Sequence, residues 1–151
     1  IMLGYNYRLD EMSCALGVVQ MQRIKEILAK RAKVAALYNK KLKNIKGLEV
    51  PYIKEGNKLS WFVYAVKLSE KFAGAERDEI ISQMAKQQIQ CSNYFAPIHL
   101  QPFYKKEFGY KKGDFPVAED VGSRTIALPF YSNLSEKDID FVVQKLNAII
   151  I

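Results

Sequence analysis

The sequence predicts an α+β domain in which helices lie on a small, mainly antiparallel sheet. Three observations carry that expectation. Apolar residues recur at helical spacing from Met12 to Leu42, aromatic and β-branched residues crowd together between Leu59 and Leu68, and an amphipathic pattern closes the chain after Ser135. The chain has 151 residues, of which 49% are hydrophobic, enough for one sizeable core.

Taken in order, Asp10 is placed to cap the amino end of a helix that carries Met12, Leu16, Val19, Ile24, Ile27, Val34, Tyr38 and Leu42. The spacing fits one long helix or two in line. Cys14 falls on its apolar side and reads as a small buried hydrophobe. Arg23, Lys25, Lys30, Arg31, Lys33, Lys40, Lys41 and Lys43 against Glu26 make one face basic, as a solvated face is. Gly47 is a stop signal, and Leu48 to Ile53 reads as a short strand that Pro51 keeps at an edge. Gly56-Asn57 marks a turn before the buried strand expected over Leu59 to Leu68. Ala75 to Gln87 groups Ile80, Ile81 and Met84 on one helical face, with acids early and Lys86 late, as the helix dipole favours.

A strand is expected over Cys91 to Phe95. Pro97 and Pro102 then bracket a loop containing His99, and an aromatic, lysine-rich stretch from Phe103 to Lys112 ends in a glycine-containing turn. A short helix over Pro116 to Arg124 leads into Ile126-Ala127-Leu128-Pro129. Ser135 and Asp138 form a variant capping box ahead of Ile139, Val142, Val143 and Leu146. The predicted order is helix, strand, strand, helix, strand, helix, helix.

Several functional classes are disfavoured. Cys14 and Cys91 do not make a disulfide framework, and with His99 as the single histidine there is no zinc-ligand cluster. Glycine-rich phosphate loops and nucleophile-elbow spacing are absent. The longest apolar runs fall far short of the ~20 residues that cross a bilayer, and no signal-peptide pattern opens the sequence, so a soluble cytoplasmic protein is expected. Ile1-Met2, followed at once by an aromatic, glycine-containing stretch, is unlike a translation start and predicts a cut from something longer. A net charge of +7 favours phosphate-bearing partners, whether nucleic acid, membrane or a nucleotide-linked metabolite.

Three groups of residues are candidates for chemistry. Asn6 and Arg8, between aromatic rings beside a helix start, have the donors for a phosphate or carboxylate, or else form a turn in which Arg8 pairs with an acid. The loop around His99, with Tyr94, Phe95, Phe103 and Tyr104, suits stacking on rings and hydrogen bonding to hydroxyls; the alternative is a packed histidine among core aromatics. The basic helix, with Tyr104 and Tyr110 stacking on bases, would make a nucleic-acid-binding element, although these aromatics fall in a separate loop.

Gly4-Tyr5-Asn6-Tyr7-Arg8-Leu9, followed by Ala15-Leu16-Gly17 and Gln20-Met21, resembles the DegT/DnrJ/StrS-type sugar aminotransferases of the aspartate-aminotransferase fold. The run Tyr94 to Tyr104 is similar to that family's tyrosine, proline, histidine and Gln-Pro pattern, and Leu128-Pro129-Phe130 before Leu134 to Ile139 is similar to its closing segment. The resemblance implies that residues 1–151 are the carboxy-terminal small domain of a larger enzyme, with 1–9 linking it to an amino-terminal large domain. It further implies a homodimer in which pyridoxal phosphate carries an amino group, usually from glutamate, to a nucleotide-linked keto-sugar destined for surface polysaccharide or a related product. By the same resemblance Asn6 reaches the cofactor phosphate of the neighbouring subunit and Arg8 helps bind anionic substrate. Tyr94, His99 and Tyr104 line the sugar-nucleotide side of the cleft. The Schiff-base lysine belongs to the preceding domain, so this segment alone is expected to be inactive. Gln88-Ile89 departs from the family's usual Gly-Ile. A catalytically inactive regulatory relative and a basic nucleic-acid-binding domain are the alternatives.

Overall fold

Asp10 starts the first helix as expected: its carboxylate accepts from the Ser13 N–H at 2.9 Å and the Ser13 hydroxyl at 2.7 Å. The structure, a computed structural model, describes residues 7–150. Asn6 lies outside the described residues. The long periodic stretch forms two helices, α1 (Glu11–Gln22) and α2 (Ile24–Leu42), separated at Arg23, whose φ of −95° and ψ of 0° leave the helical region. Only α2 enters the core, burying Val34, Ala35, Tyr38 and Leu42. No residue of α1 is buried, and Met12 and Leu16 are 83% and 63% exposed. Cys14 is correspondingly half-buried on an open apolar face, a correction to the buried position expected for it.

The sheet has four strands in the order β1-β2-β4-β3, each antiparallel to its neighbour: β1 (Leu48–Glu49), β2 (Tyr64–Leu68), β3 (Ser92–Asn93) and β4 (Thr125–Leu128). The remaining helices are α3 (Ala75–Lys86), α4 (Pro102–Phe108), α5 (Pro116–Arg124) and α6 (Glu136–Ile150). The α+β class stands, and Ser135 caps α6 by accepting from the Asp138 N–H at 3.1 Å. Among the described residues no helix is long and apolar enough to cross a membrane.

All three expected strands are shorter than predicted. Pairing of β2 runs from Lys67 opposite Thr125 to Tyr64 opposite Leu128, and Pro129, which has no N–H, follows. Leu59 to Val63 therefore has no ladder, although Trp61 remains buried by stacking on Tyr64 at 5.5 Å. Strand β1 keeps two residues of the six expected, ending before Pro51. Strand β3 keeps Ser92 and Asn93 of Cys91 to Phe95, because β4 offers it only Ala127 and Ile126 as partners.

Two elements were unassigned from sequence. Strand β4, between β2 and β3, is central to the sheet, and α4 occupies the aromatic, lysine-rich stretch. Helix α4 has proline at its first position and left-handed Gly109 at φ 71° after its last, the usual helix punctuation.

The core is built on β2, whose Tyr64, Val66 and Leu68 are buried against residues of α2, α3 and α6. Tyr38 and Tyr64 stack at 4.7 Å, and each satisfies its hydroxyl: Tyr38 donates to the Pro129 carbonyl at 2.8 Å and Tyr64 to Asn39 Oδ1 at 2.6 Å. Burial raises both phenols above their ordinary range and pushes the Cys91 thiol up to about 11. Two buried arginines tie down the β4 end of α5. Arg77 donates through Nη1 to the carbonyls of Gly122 and Thr125, both at 3.0 Å, and Arg124 donates to the Leu68 carbonyl at 3.0 Å. Arg124 also binds Asp120, holding its carboxyl below the usual range.

The end of α3 accounts for the Gln88 departure. The Gln88 N–H donates to the Ala85 carbonyl at 2.9 Å and the Ile89 N–H to the Met84 carbonyl at 3.0 Å, the paired bonds of a Schellman cap. Gln88 sits at φ 61°, the left-handed conformation that glycine adopts without strain, while Ile89 and Met84 are both buried. The chain thus makes the turn that Gly-Ile would make, with a side chain at the strained position.

Candidate functional site

The loop after β3 is held from below. Thr125 donates its hydroxyl to the Tyr94 carbonyl, and Gly122 of α5 lies directly against Phe95 and Pro97. Pro97 then begins a tight turn over Ile98–Leu100, closed by the Leu100 N–H donating to the Pro97 carbonyl at 3.0 Å. This turn places His99 on the inner side of the loop, 8% exposed.

His99 is pinned by an acid that sequence reading had not singled out. Its Nε2 lies 2.9 Å from Glu119 Oε1. The same carboxylate accepts the Gly113 N–H, at 2.8 Å on Oε1 and 3.0 Å on Oε2, and the Phe115 N–H at 3.4 Å. His99 and then the Gly113 N–H hold the Glu119 carboxyl below the ordinary glutamate range. Glu119 is the first-turn acid of α5, twenty positions along the chain from His99, and nothing local in the sequence links the two.

The histidine ring packs on Phe115 at 4.7 Å and meets the edge of Tyr110 at 6.3 Å. Tyr104 on α4 stacks on Phe108 at 5.9 Å and meets Phe103 edge-on at 5.3 Å. Together these build an open, mainly apolar cleft of about 450 Å³ lined by Phe95, Ala96, Pro97, Ile98, His99, Tyr104, Tyr110, Phe115 and Ala118. Such a cleft offers ring faces for stacking and few polar groups, the composition of a small-molecule site.

Of the five residues marked from sequence, His99 and Tyr104 are thus brought to one cleft. Tyr94 is half-buried beside it, stacked on Phe95 at 4.9 Å, and is not among the lining residues. Arg8 is exposed and ahead of α1, and also does not line this cleft.

The basic face of α2 is partly neutralised by the protein's own acids. Glu26 receives Arg23 at 3.6 Å and Lys30 at 2.6 Å, and Lys41 bridges to Glu136 at 2.9 Å and Asp140 at 2.6 Å. Among the described residues no lysine is buried. Lys41, which its two acids hold above the ordinary lysine range, is the opposite of an amine activated by desolvation.

The model of the DegT/DnrJ/EryC1/StrS aminotransferase family matches residues 1–147. The chain belongs to this family. Among curated relatives, an uncharacterised protein of Methanocaldococcus jannaschii is 36% identical over 147 residues, and the spore coat polysaccharide biosynthesis protein SpsC of Bacillus subtilis is 33% identical over 148. Each alignment covers 97% of this chain and 38% of the relative, so the chain spans less than half the length of the relatives it matches. A solved DegT/DnrJ/EryC1/StrS aminotransferase from Brucella abortus superposes with a TM-score of 0.82 at 30% identity, covering 98% of this chain and 38% of that one.

Proposed function

We propose that this chain is the carboxy-terminal part of a pyridoxal-phosphate-dependent aminotransferase that transfers an amino group, from glutamate, to a nucleotide-linked keto-sugar. The observation that carries the reading is the aromatic cleft around a buried, acid-paired histidine in a chain of this family. Its apolar walls suit the stacking of a sugar or base ring, while His99 and the Tyr104 hydroxyl suit sugar hydroxyls. The name of the Bacillus relative, a polysaccharide biosynthesis protein, agrees with a cell-surface sugar as the product.

The described residues do not by themselves fit the cofactor. Pyridoxal phosphate supplies the electron sink and needs a desolvated lysine, and none is present among them. On this reading the lysine and the pyridinium acid come from an amino-terminal large domain, and residues 1–151 form the small domain, with 1–9 as the linker. The exposed apolar face of α1 supports such a covering domain. Asn6 then reaches the cofactor phosphate of the neighbouring subunit in a homodimer, Arg8 takes the anionic part of a substrate, and Tyr94 supports the cleft through Phe95. The ion pairs around Glu26 and Lys41 weigh against a nucleic-acid surface.

The test is to assay the full-length protein with pyridoxal phosphate, glutamate and a nucleotide-linked keto-sugar, and to repeat it with Tyr104→Ala. Amino-sugar formation is expected, with a weakened KM in the variant. A full-length protein that binds the cofactor yet transfers no amino group to any such sugar overturns the reading. The 151-residue chain alone, mixed with the cofactor, is expected to show no lysine Schiff-base absorbance.

A further inference from the structure

We infer that Glu119 is a positioning residue that fixes the tautomer of His99, so that Nε2 carries the proton and Nδ1 is the acceptor presented to a sugar hydroxyl. The inference deepens the reading of the cleft as a sugar-nucleotide site and rests on it for the identity of the hydroxyl.

The argument is one of hydrogen-bond accounting. An ionised carboxylate has acceptors only, and Glu119 receives the Gly113 N–H on both oxygens and the Phe115 N–H on Oε1. Its remaining contact, His99 Nε2 at 2.9 Å from Oε1, is therefore a donor to it. In a neutral imidazole whose Nε2 donates, Nδ1 accepts. The ring cannot turn over cheaply, because Phe115 packs on it at 4.7 Å and Tyr110 closes its edge at 6.3 Å. The two aromatics that hold the ring follow or flank the turn that Glu119 fastens through Gly113 and Phe115. One carboxylate thus sets both the proton and the orientation of a cleft-lining side chain. A histidine that accepts selects a hydroxyl or amine hydrogen on the substrate; one that donates selects a carbonyl or ether oxygen.

Glu119→Leu tests this logic with little change of size. Because His99 Nε2, the Gly113 N–H and the Phe115 N–H all meet Oε1, a glutamine oxygen there would still accept the Nε2 proton, whereas leucine removes the acceptor and with it what keeps the proton on Nε2. The chain has a single histidine, so its imidazole nitrogens can be followed without assignment ambiguity. In the nitrogen-15 labelled chain, above the titration of the ring, Nε2 is expected to read as protonated and Nδ1 as unprotonated. Glu119→Leu is expected to release this preference, so that Nδ1 also reads as protonated in part of the population. A wild-type ring protonated at Nδ1 overturns the proposal even where the variant does not fold, and so does an unchanged pattern in a folded variant.

In the full-length protein, Glu119→Leu is expected to raise the KM for the sugar about tenfold with little change in kcat, the loss of one hydrogen bond. An unchanged KM with an altered tautomer population removes the substrate from the proposal. If the wild-type enzyme aminates no sugar, the function proposed above fails while the tautomer result stands on its own.

Discussion

Gly122 of α5 and Phe95 of the cleft loop are in such close contact that a Cβ added to the glycine would lie 2.8 Å from the Phe95 carbonyl oxygen and 3.3 Å from two ring carbons of Pro97. The near neighbours are backbone and a proline ring, which cannot swing aside. Gly122→Ala is therefore expected to destabilise the chain by about 1–3 kcal/mol, the usual cost of overpacking. It should also push Phe95 and Pro97 outward and so reshape the cleft. Thermal unfolding reads the first effect and the amide shifts of residues 95–100 read the second; an alanine variant as stable as wild type would show that α5 and the loop are not held this tightly.

Gln88→Gly is expected to stabilise. The left-handed conformation costs a residue with a Cβ about 1–2 kcal/mol, from which the greater freedom of unfolded glycine subtracts roughly 0.5–1 kcal/mol, leaving a net gain of about 0.5–1 kcal/mol. The midpoint of urea unfolding should rise at constant slope. A midpoint that falls would mean that Gln88 makes a contribution beyond its backbone.

Removing the buried guanidinium of Arg77 should be more costly than removing a typical surface charge. Arg77→Met fills much of the volume but leaves the Gly122 and Thr125 carbonyls without their donor. A loss of about 3 kcal/mol is expected from two hydrogen bonds to a charged group. The same denaturation series gives the value, and a loss under about 1 kcal/mol would assign the two carbonyls to water.

Stability should also depend on acid through Glu119. Its folded pKa lies below the ordinary value of 4.5, because His99 and the Gly113 N–H favour the charged form. The stabilisation is complete above the ordinary glutamate range and is lost as the pH falls through the depressed value. Wild type should therefore lose stability relative to Glu119→Gln on acidification, with the turn at Gly113 loosening first. Parallel pH profiles for the two proteins would remove Glu119 from the acid response.

The parts of this fold that were legible in the sequence are those whose signal is local. Asp10 and Ser135 announce their helices because a cap needs only neighbours three residues away. Strand β4 was not legible: four residues follow directly on α5, and what makes them a strand is the ladder to β2, some sixty residues earlier. For α4, the proline and glycine at its ends were visible, and its aromatic content obscured them. In the site, His99 and Tyr104 were readable from residue type and the bracketing prolines. Glu119 was not, since its role exists only once α5 folds back beneath the turn.

Helix α1 has one further consequence. Its twelve residues bury nothing, so its amides are guarded only by the helix's own hydrogen bonds and the Asp10 cap, and a helix of that length is marginal in water. In deuterated solvent the amides of α1 should exchange early, well before those of α2 and β2. Whatever surface comes to cover Leu16 and Met21 will announce itself as a slowing of that exchange, which makes α1 a built-in reporter of assembly.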